Sequence, residues 1–176
     1  MSDTNFEIDN AQWYSPTSAS PIIDGYRPMM IGAPADQADE SYRPLTDGFA
    51  RRLTYLRLSI TDFCNFRCEY CLPNGYQGKR PDDELSVAEI ATLVRGFAQV
   101  GTKKVRITGG EPSIRRDVVE IIKTIKQTKG IETVAMTSNG YKLGKHLASW
   151  QAAGLDQLNI SMDSFDAATF YKMTGF

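Results

Sequence analysis

The sequence predicts an α/β fold in which parallel βα repeats form an open or partial barrel. From Thr54 onward, short segments with the alternating pattern of a strand are separated by segments with the apolar periodicity of a helix. Parallel strands joined by right-handed helical crossovers account for this order. The predicted strands alternate between apolar and polar side chains, whereas strands covered by helices on both faces read as continuous apolar runs. We therefore expect helices on one face of the sheet and a polar, enclosed surface on the other.

The first repeat is predicted to contain a strand, a loop that holds all three cysteines, and a helix. The strand covers residues 54–60, where apolar and polar side chains alternate. Ser86 and Glu89 form the capping-box pattern that begins a helix, and Gly101 supplies the glycine that commonly ends one. The first helix is therefore bounded at both ends by local signals.

Three more strands and three more helices follow in alternation. Strands are predicted at residues 104–108, 133–137 and 157–161, and helices at residues 116–129 and 143–153. Asp166 is a favoured N-cap residue and marks the start of a last helix. The order βαβαβαβα predicts a single parallel sheet.

Two arginines occupy polar positions of the first two strands. Arg57 lies between Leu56 and Leu58, and Arg106 lies between apolar neighbours in the same way. A buried arginine is costly unless it meets an anion. Both arginines therefore predict an anionic ligand inside the partial barrel. The alternative is that each is simply an end-of-strand arginine in solvent.

Composition excludes several classes of protein. The 176 residues contain 20 Lys and Arg against 21 Asp and Glu, and this near-neutral balance argues against nucleic-acid binding and against a polybasic membrane arm. No stretch approaches the roughly 18 apolar residues of a membrane span. Three cysteines, an odd number, argue against a disulfide framework, and the first residues do not resemble a secretory signal. We expect a cytoplasmic protein.

The first 44 residues differ from the rest of the chain. They hold seven acidic and two basic residues, a net charge of −5, together with five of the eight prolines. Such a segment buries too little apolar surface to offset the entropy of ordering it. We expect residues 1–44 to be an acidic, flexible tail, with its aromatic residues leaving open a docking peptide, and residues 45–176 to be the folded part.

The three cysteines, Cys64, Cys68 and Cys71, fall within eight residues. A structural zinc ion needs four ligands, and the only other candidate, His146, lies far along the chain on a predicted helix. Buried inert thiols are common singly, but three on one loop are unusual. Three thiolates on one loop suit a [4Fe–4S] cluster in which one iron is left open for another ligand. The spacing therefore favours an iron–sulfur cluster over zinc.

The pattern C-x3-C-x-aromatic-C directly after a first strand resembles the signature of the radical S-adenosylmethionine (radical SAM) superfamily. The turn from Thr108 to Pro112, with Gly109, Gly110 and Glu111 between, resembles its motif for the amino group of S-adenosylmethionine. The glycines would allow a close approach to the ligand, and Glu111 could accept a hydrogen bond from its ammonium. The resemblance implies a partial TIM barrel. It also implies that the cluster reductively cleaves S-adenosylmethionine to a 5′-deoxyadenosyl radical.

Several longer segments, among them TYLRLSITDFCNFRCEYCLPNGY and KVRITGGEPSIRRD, resemble the GTP 3′,8-cyclase family over residues 45–175. That family is an enzyme family that rearranges GTP to (8S)-3′,8-cyclo-7,8-dihydroguanosine 5′-triphosphate in molybdopterin biosynthesis. The resemblance implies three sets of site residues. The cluster would be bound by Cys64, Cys68 and Cys71. S-adenosylmethionine would be contacted by Tyr70, Gly110 and Ser161, and GTP would be contacted by Arg57, Arg106 and Thr137.

The chain also departs from this family. Family members are longer, carry three more cysteines for a second cluster, and use six strands where four are predicted here. The chain therefore resembles the amino-terminal half of such an enzyme. Two functions stay open: the cofactor-holding part of a GTP cyclase, and a non-catalytic fragment that binds the cluster or S-adenosylmethionine. GTP, an electron donor, and either a homodimer or a missing carboxyl-terminal half are the expected partners. A radical SAM protein with another substrate is a further alternative, against which the arginine positions argue.

Overall fold

The computed structural model describes residues 44–78 and 84–176. The acidic tail predicted for residues 1–44 lies outside the described residues except for Pro44, so its flexibility stays a prediction. The folded part predicted to begin at residue 45 falls in the described ranges except for residues 79–83.

Over the described residues, four strands alternate with four α-helices. The elements are β1 (Tyr55–Ser59), α1 (Val87–Gln99), β2 (Lys104–Thr108), α2 (Val118–Gln127), β3 (Thr133–Ser138), α3 (Leu143–Ala152), β4 (Gln157–Ile160) and α4 (Ala167–Thr174). This order confirms the predicted alternation. The sequence did not predict the 3₁₀ turn at Pro112–Ile114. In the described parts of the chain, none of the helices has the length and hydropathy that a membrane crossing requires.

Local signals explain where the helices begin and end. Both bonds of the capping box form at the start of α1, because the Ser86 side chain accepts from the Glu89 N–H and the Glu89 carboxylate accepts from the Ser86 N–H. The Asp166 side chain caps α4 by accepting from the Thr169 N–H at 2.9 Å. Gly175 ends α4 in the left-handed conformation, with φ of +66°.

The sheet is parallel throughout, with the strand order β1-β2-β3-β4. Its register places Arg57 beside Arg106 and Thr137 beside Asn159. Side chains at paired positions of parallel strands share a face, and so do alternate residues of one strand. Arg57, Arg106, Thr137 and Asn159 therefore lie on one side of the sheet.

The helices cover the other side. Apolar residues of the strands, such as Ile107 and Met136, form one core with Ile90 of α1, Ile122 of α2 and Trp150 of α3. These five side chains have no exposed surface. The predicted division into an apolar, helix-covered face and a polar face is therefore confirmed.

The polar face differs from the prediction in one respect. We expected it to be enclosed, but among the described residues Tyr55, Arg57 and Asn159 are exposed, and Arg106 and Thr137 are only half-buried. The pattern of a strand shows which side chains share a face, whereas the cover over that face comes from other segments. The polar surface is open in the described chain.

Candidate functional site

Loops from all four strands meet at the carboxyl edge of the sheet. Cys64 follows β1, Gly110 follows β2, Thr137 lies near the end of β3, and Ser161 directly follows β4. A hydrogen bond from the Ser161 N–H to the Ser138 carbonyl, 2.9 Å long, joins two of these strand ends. Parallel α/β folds place their sites at this edge. The structure thus places Cys64, Gly110 and Ser161 on loops at one edge of the sheet, while Arg57 and Arg106 lie within their strands.

The cysteine loop is anchored by the last helix. The backbone N–H groups of Arg67 and Glu69 donate to the carbonyls of Thr174 and Met173 at the end of α4, at 2.9 and 3.1 Å. The Phe66 ring is buried and stacks on the ring of Phe176, with centroids 4.7 Å apart. The backbone on which the cysteines lie is therefore fixed from outside the loop.

The thiols are unequally exposed and share one electrostatic environment. Cys64 and Cys68 are half-buried, Cys71 is exposed, and all three are free. Burial raises the pKa of the Cys64 thiol; the charges of Glu111, Cys68 and Cys71 raise this pKa as well, against a backbone hydrogen bond from Phe66 that lowers it. Because a thiol binds metal as the thiolate, loading must displace this proton.

The loop does not preassemble a site for one metal ion. Over residues 44–78 and 84–176, no group of three or more His, Cys, Asp or Glu side chains is arranged to hold such an ion. The loop places Cys64, Cys68 and Cys71 on one short segment, where a larger group could bind them at separate atoms. Their role as cluster ligands stays a prediction.

The two glycines after β2 pack against backbone. A Cβ atom at Gly109, whose φ is +144°, would lie 2.2 Å from the Thr61 carbonyl oxygen, and one at Gly110 would lie 2.4 Å from the Phe63 carbonyl oxygen. The Gly110 N–H donates to the Thr61 carbonyl at 2.8 Å, and the Glu111 N–H donates to the Phe63 carbonyl at 2.9 Å. This packing holds the start of the cysteine loop. A close approach of the same turn to a ligand stays a prediction.

Glu111 is likewise used inside the protein. Its side chain is buried, and its carboxylate accepts hydrogen bonds from the Ser113 N–H at 2.9 Å, the Ser138 hydroxyl at 2.8 Å and the Asn139 N–H at 2.6 Å. These hydrogen bonds join the loops that follow β2 and β3 and satisfy a buried carboxylate. That Glu111 also accepts from the ammonium of a ligand stays a prediction.

Tyr70 joins the cysteine loop to the loop after β4. Its hydroxyl donates to Asp163 Oδ2 at 2.8 Å. This bond raises the pKa of Tyr70, because ionisation would place a second negative charge beside the carboxylate. Asp163 was not predicted as a site residue, although it lies two residues after Ser161 in a polar segment.

On the polar face, Arg106 is held by three neutral groups. Its Nε donates to the Tyr55 hydroxyl at 2.6 Å, and its Nη1 donates to Thr137 Oγ1 at 3.1 Å and to Asn159 Oδ1 at 2.7 Å. These partners come from β1, β3 and β4, so they orient the guanidinium from both sides. Because none of the three is charged, they leave its positive charge available to an anion.

Two more cations share this face. Arg57 is exposed beside Arg106, and Lys104 donates to Gln157 Oε1 at 2.7 Å and lies over the Tyr55 ring at 5.7 Å from its centroid. Sequence reasoning missed Lys104. The alternation of β2 could have found it, because Lys104 lies two residues before Arg106 and therefore points to the same face.

The sequence profile of the radical SAM superfamily matches residues 58–175. The chain belongs to the radical SAM superfamily. The matched range begins within β1 and ends after α4, so it covers all four repeats of this radical SAM fold.

Close relatives carry a more specific name. The GTP 3′,8-cyclase of Pectobacterium atrosepticum is 57% identical over 133 residues, which are 74% of this chain and 40% of the relative. The GTP 3′,8-cyclase of Vibrio cholerae is 58% identical over 131 residues, which are 73% of this chain and 39% of the relative. The chain thus spans about 40% of the length of these curated relatives.

A solved structure shows the same fold. Streptococcus suis SuiB, crystallised with S-adenosylmethionine, superposes with a TM-score of 0.59 at 17% sequence identity. The superposition covers 76% of this chain and 28% of SuiB. The likeness confirms the predicted fold of parallel βα repeats.

Radical SAM proteins use a [4Fe–4S] cluster and S-adenosylmethionine, and the residues present fit this pair. Three free thiols, and no disulfide among them, lie on the loop after β1. On the same loop, the side-chain amide nitrogen of Asn65 is buried and has no hydrogen-bond partner among the described residues. Thiolates bind iron, and an unpartnered donor suits an anionic group beside them.

Proposed function

We propose that the chain is the cofactor-holding part of a GTP 3′,8-cyclase, which starts the rearrangement of GTP to (8S)-3′,8-cyclo-7,8-dihydroguanosine 5′-triphosphate. One observation carries the proposal. A cysteine loop at the carboxyl edge and a face with three cations, Arg57, Lys104 and Arg106, belong to the same four-stranded sheet. The identity of 57% to a named GTP 3′,8-cyclase supports the choice of substrate.

In this proposal Cys64, Cys68 and Cys71 hold the cluster. When bound, the cluster supplies the electron that cleaves the sulfonium bond of S-adenosylmethionine. Tyr70 and Ser161 contact S-adenosylmethionine from the loops after β1 and β4, which the bond between Tyr70 and Asp163 holds together. Gly110 contributes through its backbone, since its tight packing on Phe63 leaves no room for a side chain.

The polar face binds the substrate. Arg57 and Arg106 contact the triphosphate, and Thr137 contacts GTP beside Arg106. Three cations suit a group with several negative charges, and the neutral partners of Arg106 orient it without neutralising it. We propose that Lys104 joins them from the same strand.

The proposed reaction sets conditions on the surroundings. It needs an electron donor, and the three free thiols suit the reducing cytosol. The open polar face would need a cover that keeps water out during radical chemistry. A second copy of the chain or the carboxyl-terminal half of a longer enzyme would provide this cover.

Anaerobic reconstitution tests the cofactor assignment. With iron and sulfide the protein should take up about four irons per chain, and Cys68→Ala should lose most of them because no further cysteine can replace the thiolate. After reduction with dithionite, the reconstituted protein should convert S-adenosylmethionine to 5′-deoxyadenosine, measured by chromatography. Ser149→Ala, an exposed change on α3, is the matched control and should behave as the unaltered protein.

The same assay with GTP separates the two functions that stay open. The span of only about 40% of its relatives favours a chain that holds the cofactors but does not complete the substrate pocket. We therefore expect 5′-deoxyadenosine without a pterin precursor, since a poorly positioned reacting atom loses most of its effective molarity. Formation of the precursor would show that the chain is a complete cyclase. A full cluster without 5′-deoxyadenosine would support the non-catalytic fragment.

The polar face can be tested by arginine substitution. In a protein that binds GTP, Arg57→Ala and Arg106→Ala should each weaken GTP binding roughly ten- to a hundredfold, because each removes charge-assisted hydrogen bonds of about 1.5–3 kcal/mol. Arg106→Lys should restore binding only in part, since lysine lacks the planar fork. Isothermal titration calorimetry measures the dissociation constants.

The matched control for this substitution is Arg95→Ala. Arg95 is exposed on α1, in the helical layer of the fold. Its removal changes the net charge equally but should leave GTP binding within about twofold. Equal effects of the Arg95 and Arg106 substitutions would show that only the overall charge of the protein attracts the nucleotide.

A further inference from the structure

The amide nitrogen of Asn65 is a buried donor without an acceptor. Asn65 directly follows Cys64 in the cysteine loop. Its Nδ2 atom has no exposed surface and makes no hydrogen bond to any described residue. Leaving such a group unpaired costs free energy, so buried amides are normally satisfied.

The orientation of this amide follows from its neighbours. The Tyr141 N–H donates to Asn139 Oδ1 at 3.0 Å, so the other end of the Asn139 side chain must be its NH₂ group. Asn139 Nδ2 donates to the Asn65 side chain at 3.0 Å, and the atom that accepts must therefore be Asn65 Oδ1. Rotating the Asn65 amide would place two donors against each other. The free end of Asn65 is thus a donor, and its orientation is fixed through two hydrogen bonds that begin at the Tyr141 N–H.

Asn139 is itself held in place. Its backbone N–H donates to the buried carboxylate of Glu111 at 2.6 Å. A chain of hydrogen bonds therefore runs from the loop after β2, through Asn139 after β3, to Asn65 in the cysteine loop. This arrangement orients a donor within the loop and leaves it without an acceptor.

We propose that the Asn65 amide donates a hydrogen bond to an anionic acceptor bound at the cysteine loop. Two acceptors share this chemistry: a sulfur atom of the iron–sulfur cluster and the carboxylate of S-adenosylmethionine. The inference rests on the cluster assignment made above. A hydrogen bond to cluster sulfur stabilises the more negative, reduced state and raises the reduction potential. A bond to the carboxylate strengthens S-adenosylmethionine binding.

Two substitutions at Asn65 test the inference in the reconstituted chain. Asn65→Asp keeps the acceptor for Asn139 but replaces the free donor by a negatively charged oxygen, and Asn65→Ala removes both groups. The readouts are iron content, the midpoint potential from a titration followed by electron paramagnetic resonance without S-adenosylmethionine, and the dissociation constant of S-adenosylmethionine. Asn74→Ala, an exposed change in the same loop region, is the matched control.

The expected results differ for the two acceptors. If the acceptor is sulfur, both substitutions lower the midpoint potential in the absence of S-adenosylmethionine, and Asn65→Asp lowers it more. If the acceptor is the carboxylate, Asn65→Ala leaves the potential unchanged, and both variants bind S-adenosylmethionine roughly tenfold or more weakly. If Asn65→Ala loses the cluster, the same quantities are measured on Asn65→Asp, which preserves the hydrogen bond to Asn139.

An unchanged potential together with unchanged S-adenosylmethionine binding in both Asn65 variants would overturn the inference. This result would not affect the proposed function, since no readout uses GTP or turnover. An unaltered chain that takes up no cluster would contradict the cofactor assignment itself.

Discussion

Replacing Gly110 by alanine should destabilise the folded chain by about 3 kcal/mol or more, because the added methyl group overlaps backbone that cannot move aside. Its Cβ would lie 2.4 Å from the Phe63 carbonyl oxygen, 2.6 Å from the Phe63 carbonyl carbon and 2.7 Å from the Asp62 carbonyl oxygen. All three atoms belong to the backbone that leads into the cysteine loop. The free energy of unfolding from urea titrations measures the effect, and iron uptake should fall with it.

A second glycine gives the matched control. Gly144 lies in α3, has no atom within 4 Å of the place of a Cβ, and has no left-handed φ. Gly144→Ala should therefore be neutral or stabilise the chain by up to about 1 kcal/mol, as expected for alanine in a helix. Gly110→Ala is compared with this control directly. If Gly110→Ala unfolds at the same urea concentration as the unaltered chain, the prediction that Gly110 packs too closely on the cysteine loop to accept a side chain is wrong.

Replacing Glu111 by glutamine should also cost about 3 kcal/mol, although the two side chains have nearly the same shape. One carboxylate oxygen accepts from the Ser113 N–H and the other accepts from the Asn139 N–H. Either orientation of a glutamine amide therefore turns its NH₂ group toward a backbone N–H. One buried donor loses its acceptor, and the remaining bond loses its charge.

The control for this substitution is Glu132→Gln. Glu132 pairs with Lys103 at 2.7 Å on the surface, where both side chains are more than half exposed. Exposed ion pairs of this kind contribute about 0–1 kcal/mol, so the loss should be small. Urea unfolding of the two variants under the same conditions compares them directly. Equal losses would mean that the hydrogen bonds of Glu111 contribute no more than a surface ion pair.

The order and bounds of the elements could be predicted because their causes are local. The capping box at Ser86 and the N-cap at Asp166 act within a single turn of helix. The alternation of β1 and β2 placed Arg57 and Arg106 on one face without any knowledge of the neighbouring strands. These features depend on residues that are near each other in the sequence, and so a pattern reveals them.

The uses of the residues at the carboxyl edge could not be predicted in the same way. Sequence reasoning gave Glu111 and the glycine turn a contact with a ligand, which stays a prediction, and it did not reveal their partners within the protein. Those partners, Phe63 and Asn139, lie in other loops that only the fold brings near. The unpaired amide of Asn65 was missed for the same reason, because it becomes unusual only when its orientation is fixed by Asn139.

The anchoring of the cysteine loop by the end of α4 has a consequence for how the protein acquires its metal. Arg67 and Thr174 are 107 residues apart in the chain, yet a backbone hydrogen bond of 2.9 Å joins them. Closing so long a segment costs entropy that only the docked repeats in between can offset. During synthesis on the ribosome, the three thiols are therefore made early but reach their final places late. Iron loading should follow the docking of the fourth repeat, and a chain interrupted before α4 would present its cysteines on an unanchored loop.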